Sequence, residues 1–215
     1  MTAEFVLMGV PAFMLTLLHW LNRLHAPRRS ELCRKAAHVA LGLVCLPLPW
    51  LGLSVATVGL LALIGLGLLL LIRKQPHMRQ SFGPALYGVR RVSLGELCFP
   101  VAVGLTYLLA QDDALRYCLP MLLLTLADPA AALVGKRYGR GNGKSLAGSL
   151  AFFVVALLCS IGALLLAGLP LAAVAGAAVG VSLAATLIER LAGWGLDNLL
   201  IPLGSQMVLL LVLAG

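Results

Sequence analysis

Five of the eight carboxylates in the chain, Glu31, Glu96, Asp128, Glu189 and Asp197, lie in or beside the ends of long apolar stretches on the side where most basic residues fall. Asp128 lies deepest in such a stretch, LLLTLADPAAALVGKRYG. A carboxylate in an apolar membrane segment is costly and by default marks a functional site. Pro129 cannot continue a preceding helix but fits the first turn of a new one, so the sequence predicts Asp128 as the N-cap of a broken membrane helix. Ala131, Ala132 and Gly135 follow on one face, where another helix or a ligand could approach closely.

A glycine-rich basic loop, GKRYGRGNGKSLAGS, leads from this segment into the next apolar stretch. Glycines permit close backbone approach, and the free N–H groups and dipole of a helix start favour phosphate. The residues of this loop that would favour phosphate are Gly139, Gly143, Lys144, Ser145, Gly148 and Ser149. The loop is not a Walker A loop, because Tyr138 stands five positions before Gly143. A positively charged membrane loop with turn glycines is the structural alternative.

Glu31, Arg34, Lys35 and His38 are spaced to share one face of a helix that enters the membrane. This face could place two cations and an imidazole against phosphates, with Glu31 orienting them. The alternative is a surface pair of Glu31 with Lys35, capped by Ser30, and an isolated histidine. An ionisable imidazole at membrane depth favours the functional interpretation.

Glu189 and Asp197 flank a short Gly-Trp-Gly turn between the last two apolar stretches. We expect both carboxylates at the same interface, where they could share a metal with Asp128, since Mg²⁺ prefers one or two carboxylates plus substrate phosphates. Pairing near Arg190 and helix capping are the structural alternatives. The remaining carboxylate near an apolar stretch, Glu96, fits a helix capping box with Ser93 at the start of the fourth stretch, which is a sufficient structural explanation.

The composition requires a membrane setting for these polar residues. Of the 215 residues 61% are hydrophobic and only 11% are charged, with a mean hydropathy of +1.01, which excludes a water-soluble globule. The net charge of +8 is first an orientation signal, and no aromatic-rich basic domain supports nucleic-acid binding. The five cysteines include no CxxC pair and are interpreted as free thiols.

Eight apolar spans account for nearly the whole chain, which predicts an all-α, polytopic helical bundle in a single domain, residues 1–215. The spans are 3–21, 36–51, 53–72, 95–110, 115–135, 148–168, 170–189 and 198–214. Fifteen of the sixteen basic residues, including Arg28, Arg29, Arg90, Arg91 and Arg140, fall in the four loops on one side, and Arg116 falls on the other. By the positive-inside rule those loops are cytoplasmic and both termini are outside.

Four segments resemble, in order, the signature segments of the CTP-dependent lipid-alcohol kinases, the group that contains dolichol, phytol and polyprenol kinases. They are ELCRKAAHVALG, LGELCFP, ADPAAALVGKRYGRGNGKSLAGSLAFF and TLIERLAGWGLDNLLIPL, and they span residues 31–203. A weaker similarity, through residues 128–148, extends to the CDP-lipid synthases. Eukaryotic dolichol kinases are longer, so this compact chain resembles bacterial or phytol-kinase-like members.

The resemblance implies an integral membrane enzyme, in a bacterial inner membrane, that transfers the γ-phosphate of CTP to a lipid alcohol with Mg²⁺ or Mn²⁺. It places the nucleotide on the residues from Lys136 to Ser149 and the late acidic pair on Glu189 and Asp197, which with Asp128 would bind the metal. We expect Lys144, Arg34, Lys35 and His38 to stabilise charge on the transferred phosphate and Asp128 or another carboxylate to accept the hydroxyl proton. A cytidylyltransferase that makes a CDP-lipid and a membrane transporter are the alternatives.

Overall fold

The computed structural model describes residues 2–25, 30–87, 93–139 and 143–214, and in these ranges the chain is almost entirely helical and contains no strand. The helices are α1 (Thr2–His25), α2 (Ser30–Cys45), α3 (Val55–Lys74), α4 (Pro76–Phe82), α5 (Pro84–Tyr87), α6 (Gly95–Ala110), α7 (Ala114–Leu122), α8 (Asp128–Tyr138), α9 (Leu146–Leu166), α10 (Leu171–Leu191) and α11 (Asp197–Ala214). The predicted basic residues Arg28, Arg29, Arg90, Arg91 and Arg140 lie outside the described ranges.

The predicted all-α membrane bundle is confirmed. Within the part of the chain that the structure describes, six helical segments are long and apolar enough to cross a membrane: Thr2–Arg23, Glu31–Leu51, Val55–Lys74, Ala114–Tyr138, Leu146–Leu166 and Leu171–Leu191. Two shorter apolar helices, Gly95–Ala110 and Asp197–Leu213, occupy the fourth and eighth predicted spans. Every predicted apolar span is therefore helical, whereas the count of eight crossings and the external termini stay predictions.

The short breaks after the second and sixth apolar spans would suit two tight helical hairpins, and one of them is present. Helices α9 and α10 pack closely along each other, and their turn contains Gly168, with φ of 79°, with Pro170 preceding the first residue of α10. Between α2 and α3 the chain makes a 3₁₀ turn over Leu48–Leu51 and ends it at Gly52, with φ of 62°, but α3 packs on α6 and α1 rather than on α2. Only glycine adopts such φ values without a steric cost, so these residues suit the two reversals of the chain.

The loop predicted between the third and fourth spans contains two short helices instead. Phe82 of α4 and Leu86 of α5 pack against the apolar cluster shared by α1, α2 and α3. The apolar residues in this loop are too few to predict a membrane span, but they are enough for two short amphipathic helices. These helices cover one end of the space between α2 and α6.

The predicted break at Asp128 is wrong. The chain continues from α7 into α8 through one π-helical turn, Leu123–Ala127, and Asp128 has helical φ and ψ angles of −63° and −46°. The Asp128 N–H bonds the carbonyl of Leu123, five residues back. A π turn widens the helix, which accommodates Pro129 without ending the helix there. Asp128 is therefore held inside a membrane helix rather than at its cap.

Candidate active site

A polar cleft of about 480 Å³ lies at one end of the bundle, where α2, α8, α9, α10 and α11 meet. All predicted site residues except His38 and Gly139 line it: Arg34, Lys35, Asp128, Lys136, Gly143, Lys144, Ser145, Gly148, Ser149, Glu189 and Asp197. Glu31, Ser93 and Asn198 also line the cleft. Residues that are far apart in sequence thus converge on one site, as their charge in apolar surroundings predicted.

The deepest charges in the cleft form an ion pair between two helices. Lys35 Nζ on α2 lies 2.5 Å from Asp128 Oδ2 on α8, and both residues are more than nine-tenths buried. The predicted alternative, a surface pair of Lys35 with Glu31, is therefore wrong, because Lys35 points across to α8. Asp128 lies ten residues before the end of α8, about 15 Å along the helix axis. The pair is thus well inside the helical part of the bundle.

Lys144 joins the ends of three segments on the opposite wall of the cleft. Its Nζ lies 3.0 Å from Glu189 Oε1 and 3.1 Å from Asp197 Oδ2, and it also donates to the Glu189 carbonyl. The two carboxylates come from the end of α10 and the start of α11, as predicted from the short turn between them. One ammonium group therefore occupies the point on which both carboxylates converge.

Arg34 is held at the rim of the cleft by Glu31. Its Nη2 donates to Glu31 Oε1 at 2.6 Å and its Nε to Oε2 at 3.3 Å, so the guanidinium contacts both carboxylate oxygens. Such a two-point contact fixes the plane of the guanidinium. The predicted orienting role of Glu31 agrees with this geometry.

His38 contacts the backbone of the π turn rather than the cleft. Its Nε2 donates to the carbonyl of Leu124 at 2.9 Å, and its ring packs edge-on against Phe99. In an α-helix the Asp128 N–H would bond Leu124, but that N–H bonds Leu123, and the next residue, Pro129, has no N–H. His38 therefore supplies the donor that the helix itself cannot give to Leu124.

The predicted phosphate segment is an ordered helix start. Ser145 is the N-cap of α9, and its hydroxyl accepts from the Gly148 N–H at 3.0 Å. Ser149 is positioned by two neighbours, since its hydroxyl lies 3.5 Å from Glu189 Oε2 and accepts from Arg190 Nη1 at 3.2 Å. Lys136 is exposed at the rim of the cleft on α8.

Glycines in this segment bring α8 and α9 together. A Cβ on Gly148 would lie 2.8 Å from the carbonyl oxygen of Ala131, and one on Gly139 would lie 2.8 Å from Ser145 Cβ. Gly139 thus packs against Ser145, the N-cap of α9, and does not line the cleft. The face of α8 that carries Ala131 and Gly135 packs against α9 at Gly148. Close crossing of this kind places the start of α9 beside the cleft.

Asn198 connects the cleft to α6. Its Nδ2 donates to the Gly95 carbonyl at 2.7 Å, and it is buried. The predicted capping box is wrong: Ser93 accepts from the Gly95 N–H, and Glu96 pairs with Arg73 at 3.2 Å. Burial, with the nearby Glu96 charge, raises the pKa of Tyr87 to about 12, so this phenol stays protonated. Sequence reasoning did not assign Asn198 a role, since one buried amide at a helix start carries no pattern.

The cleft is balanced in charge, and this bears on metal binding. Four basic and four acidic side chains line it, and each of Asp128, Glu189 and Asp197 contacts a lysine. In the described ranges no three His, Cys, Asp or Glu side chains form a metal-ligand group. Glu189 and Asp197 nevertheless present oxygens to one shared cation position, which is the donor chemistry Mg²⁺ prefers. The metal-binding roles of the three carboxylates stay predictions.

Comparison with known proteins agrees with the resemblance of the four segments. The chain is 29% identical over 196 residues to phytol kinase of Synechocystis sp., an alignment that covers 87% of this chain and 82% of that protein. No protein-family model matches the chain, and no solved structure matches it. The weaker similarity to the CDP-lipid synthases stays a prediction. The sequence similarity and the helical membrane bundle together support a relationship of this chain to the lipid-alcohol kinases.

Proposed function

We propose that this integral membrane protein is a CTP-dependent kinase that transfers the γ-phosphate to the hydroxyl of a membrane lipid alcohol. The observation that carries the proposal is the placement of two lysine–carboxylate groups in one cleft, Lys35 with Asp128 and Lys144 with Glu189 and Asp197. Phosphoryl transfer needs positioning and positive charge more than covalent chemistry, and the cleft offers both. The preference for CTP is taken from the resemblance of the four segments.

The donor phosphates would bind on the wall formed by the start of α9. Lys144 would exchange its carboxylate partners for phosphate oxygens, and Lys136 is an exposed cation within reach of the same wall. The N-terminus of α9 adds free N–H groups and the positive end of a helix dipole. Arg34, fixed by Glu31, would contact the phosphate from the other side.

Glu189 and Asp197 would hold Mg²⁺ or Mn²⁺ once Lys144 has moved to the phosphates. A bound divalent cation neutralises charge on the β- and γ-phosphates. The cleft residues alone have balanced charge, so a triphosphate would enter with its own negative charge uncompensated. This charge argument supports a metal requirement.

The acceptor chemistry would take place beside Asp128. The lipid oxygen attacks the γ-phosphorus, the bond from that phosphorus to the bridging oxygen of the β-phosphate breaks, and CDP leaves with the electron pair. The hydroxyl proton passes to the Asp128 carboxylate, which Lys35 contacts and orients in the resting cleft. Asp128 is thus the proposed base, and Lys35 stabilises the developing charge.

The cleft would face the cytoplasm. Among the described residues, the basic side chains in loops and helix ends on the cleft side include Arg73, Lys74 and Arg137, whereas Arg116 pairs with Asp113 at the other end. The positive-inside rule then places the cleft on the cytoplasmic side and the N-terminus outside. CTP would therefore reach the site directly from the cytoplasm.

The experiment is a transfer assay with the purified chain in lipid nanodiscs, Mg²⁺ and γ-labelled CTP, ATP or UTP, with phytol, polyprenol, dolichol or diacylglycerol as acceptor. Label on the lipid, with CTP preferred, is expected. In a parallel reaction with a lipid phosphate as acceptor, label released as pyrophosphate with formation of a CDP-lipid would show a cytidylyltransferase instead. Absence of transfer from any nucleotide to any alcohol would refute the kinase proposal.

A further inference from the structure

A second cavity adjoins the polar cleft, and nothing in the proposed phosphate chemistry accounts for it. It lies between α2 and α6 and is also lined by α1 and α3. Its walls are apolar apart from Arg34, Lys35, His38, Glu96 and Asn198. The apolar residues include Met14 and Leu18 from α1, Leu41 from α2, Leu69 from α3, and Phe99 and Val103 from α6. A cavity with such walls suits a hydrocarbon chain and not water or a nucleotide.

The two cavities meet at one point. Arg34, Lys35 and Asn198 line both of them. Lys35 is also the partner of Asp128, the proposed base, so the apolar cavity opens beside the position where the acceptor hydroxyl must lie. A molecule with one polar end and one apolar end would fit this junction with its hydroxyl at Lys35 and its chain in the cavity.

The cavity is long enough for a chain that lies along the helices. Along α2 its lining extends from Arg34 to Cys45, eleven residues or about 16 Å, roughly half of the ~30 Å hydrocarbon core of a bilayer. A chain whose hydroxyl lies at Lys35 would therefore reach toward the middle of the bilayer within these walls.

We propose that this cavity binds the hydrocarbon chain of the acceptor alcohol. The proposal rests on the kinase function proposed above. It assigns acceptor binding to the walls of the cavity, which separates it from the donor site on α9. The lipid would enter from one leaflet with its chain parallel to the helices.

Gly65 offers a way to block the cavity. It lines the passage on α3, and a Cβ added there would lie 3.5 Å from Pro100 Cβ, an ordinary contact, so a longer side chain is accommodated at its base and extends into the space. Gly67, two residues further along the same helix, does not line the cavity, and its Cβ would meet nothing within 4 Å. Gly67→Leu is therefore a matched control for Gly65→Leu.

The first test measures transfer to single-chain alcohols of increasing length. We expect Gly65→Leu to lower kcat/KM for the longer alcohols by about tenfold or more with the KM for the donor unchanged. Gly67→Leu should match the wild type. A Gly65→Leu enzyme with wild-type kinetics for every alcohol would overturn the proposal.

The second test needs no turnover and separates the cavity from the kinase proposal. A long-chain alcohol with a photoreactive diazirine near its far end is irradiated with the wild-type protein in nanodiscs without nucleotide. We expect labelled peptides from α1, α2, α3 and α6, with labelling reduced by excess unlabelled alcohol and by Gly65→Leu but not by Gly67→Leu. Labelling that falls elsewhere, or that neither competitor nor variant reduces, would overturn the cavity assignment even if kinase activity is found.

Discussion

Lys35 on α2 and Asp128 on α8 form a buried ion pair, 2.5 Å between Nζ and Oδ2, at the junction of the polar cleft and the apolar cavity. Because both groups are buried away from water, removing one leaves the other as an uncompensated buried charge, which lowers stability. The pair therefore holds α2 against α8 and also sets the charge of the proposed base. Stability and catalysis can be separated at this pair by choosing single and double variants.

We expect Lys35→Met to lower stability by about 3 kcal/mol, since an uncompensated carboxylate is left buried, and Lys35→Met/Asp128→Leu to recover most of that loss. Asp128→Asn keeps an oxygen that can accept from Lys35 but leaves the buried ammonium without a counter-charge, so it should also lose stability. It should lose at least about 100-fold in kcat, the scale of a lost general base. Chemical unfolding in detergent and the transfer assay give the two readouts. Wild-type kcat in Asp128→Asn would remove this carboxylate from the mechanism.

Lys144→Ala is expected to lower kcat by about 100-fold or more, because a positioned charge on the transferred phosphate is lost. It should also leave Glu189 and Asp197 without their shared cation, and thus weaken donor binding. Arg137→Ala is the matched control: this exposed cation of α8 contacts the Tyr138 ring and hydroxyl rather than the cleft. Transfer assays compare Lys144→Ala with Arg137→Ala. If the two variants have the same activity, Lys144 acts only in the local salt-bridge network and not on the phosphate.

The spacing of charged residues predicted which side chains meet in the cleft but not which partners they choose. Glu31, Arg34 and Lys35 share a helix face, as expected, yet Lys35 pairs with a residue 93 positions away rather than with Glu31. Local spacing gives the face, while the partner depends on how α2 and α8 pack. The sequence alone therefore could not determine that Lys35 pairs with Asp128.

The same limit explains the π turn and the apolar cavity. Pro129 predicted a helix break because a proline leaves a carbonyl without a donor, but His38 supplies a donor from another helix, 86 positions away. The cavity between α2 and α6 depends on the arrangement of four helices whose apolar residues look alike in sequence. Leu, Ala and Val predict burial or lipid contact, and they do not tell which faces leave space between them.

Glu189→Gln and Asp197→Asn test the proposed metal site. Chelation of divalent cations should abolish transfer in the wild type, and Mg²⁺ or Mn²⁺ should restore it. Each variant removes one anionic ligand, so the metal concentration for half-maximal activity should rise about tenfold or more. Activity titrated against free Mg²⁺ is the measurement. Full activity in chelator, or unchanged metal dependence in both variants, would contradict the assignment of these carboxylates.

Gly148→Ala should disturb the crossing of α8 and α9. The added Cβ would lie 2.8 Å from the Ala131 carbonyl oxygen and 3.3 Å from Gly135 Cα, which forces the helices apart at a cost of about 1–3 kcal/mol. Gly162 stands on α9 with nothing within 4 Å of an added Cβ, so Gly162→Ala should leave stability unchanged or raise it by up to about 1 kcal/mol. Unfolding in detergent compares the two, and equal stabilities would show that the close crossing is not required.

His38 separates a positioning role from a catalytic one. If it supports the π turn by donating to Leu124, His38→Gln can keep that donor and should retain activity within about threefold, whereas His38→Leu leaves the buried carbonyl unpaired, at about 1–3 kcal/mol of stability. His38→Leu should then lower kcat through a displaced Asp128. Its activity should follow the same pH profile as the wild type, since no titrating catalytic group has been removed. Equal loss of activity in both variants, with a changed pH profile, would instead show that the imidazole takes part in the transfer, as the spacing of the α2 face first predicted.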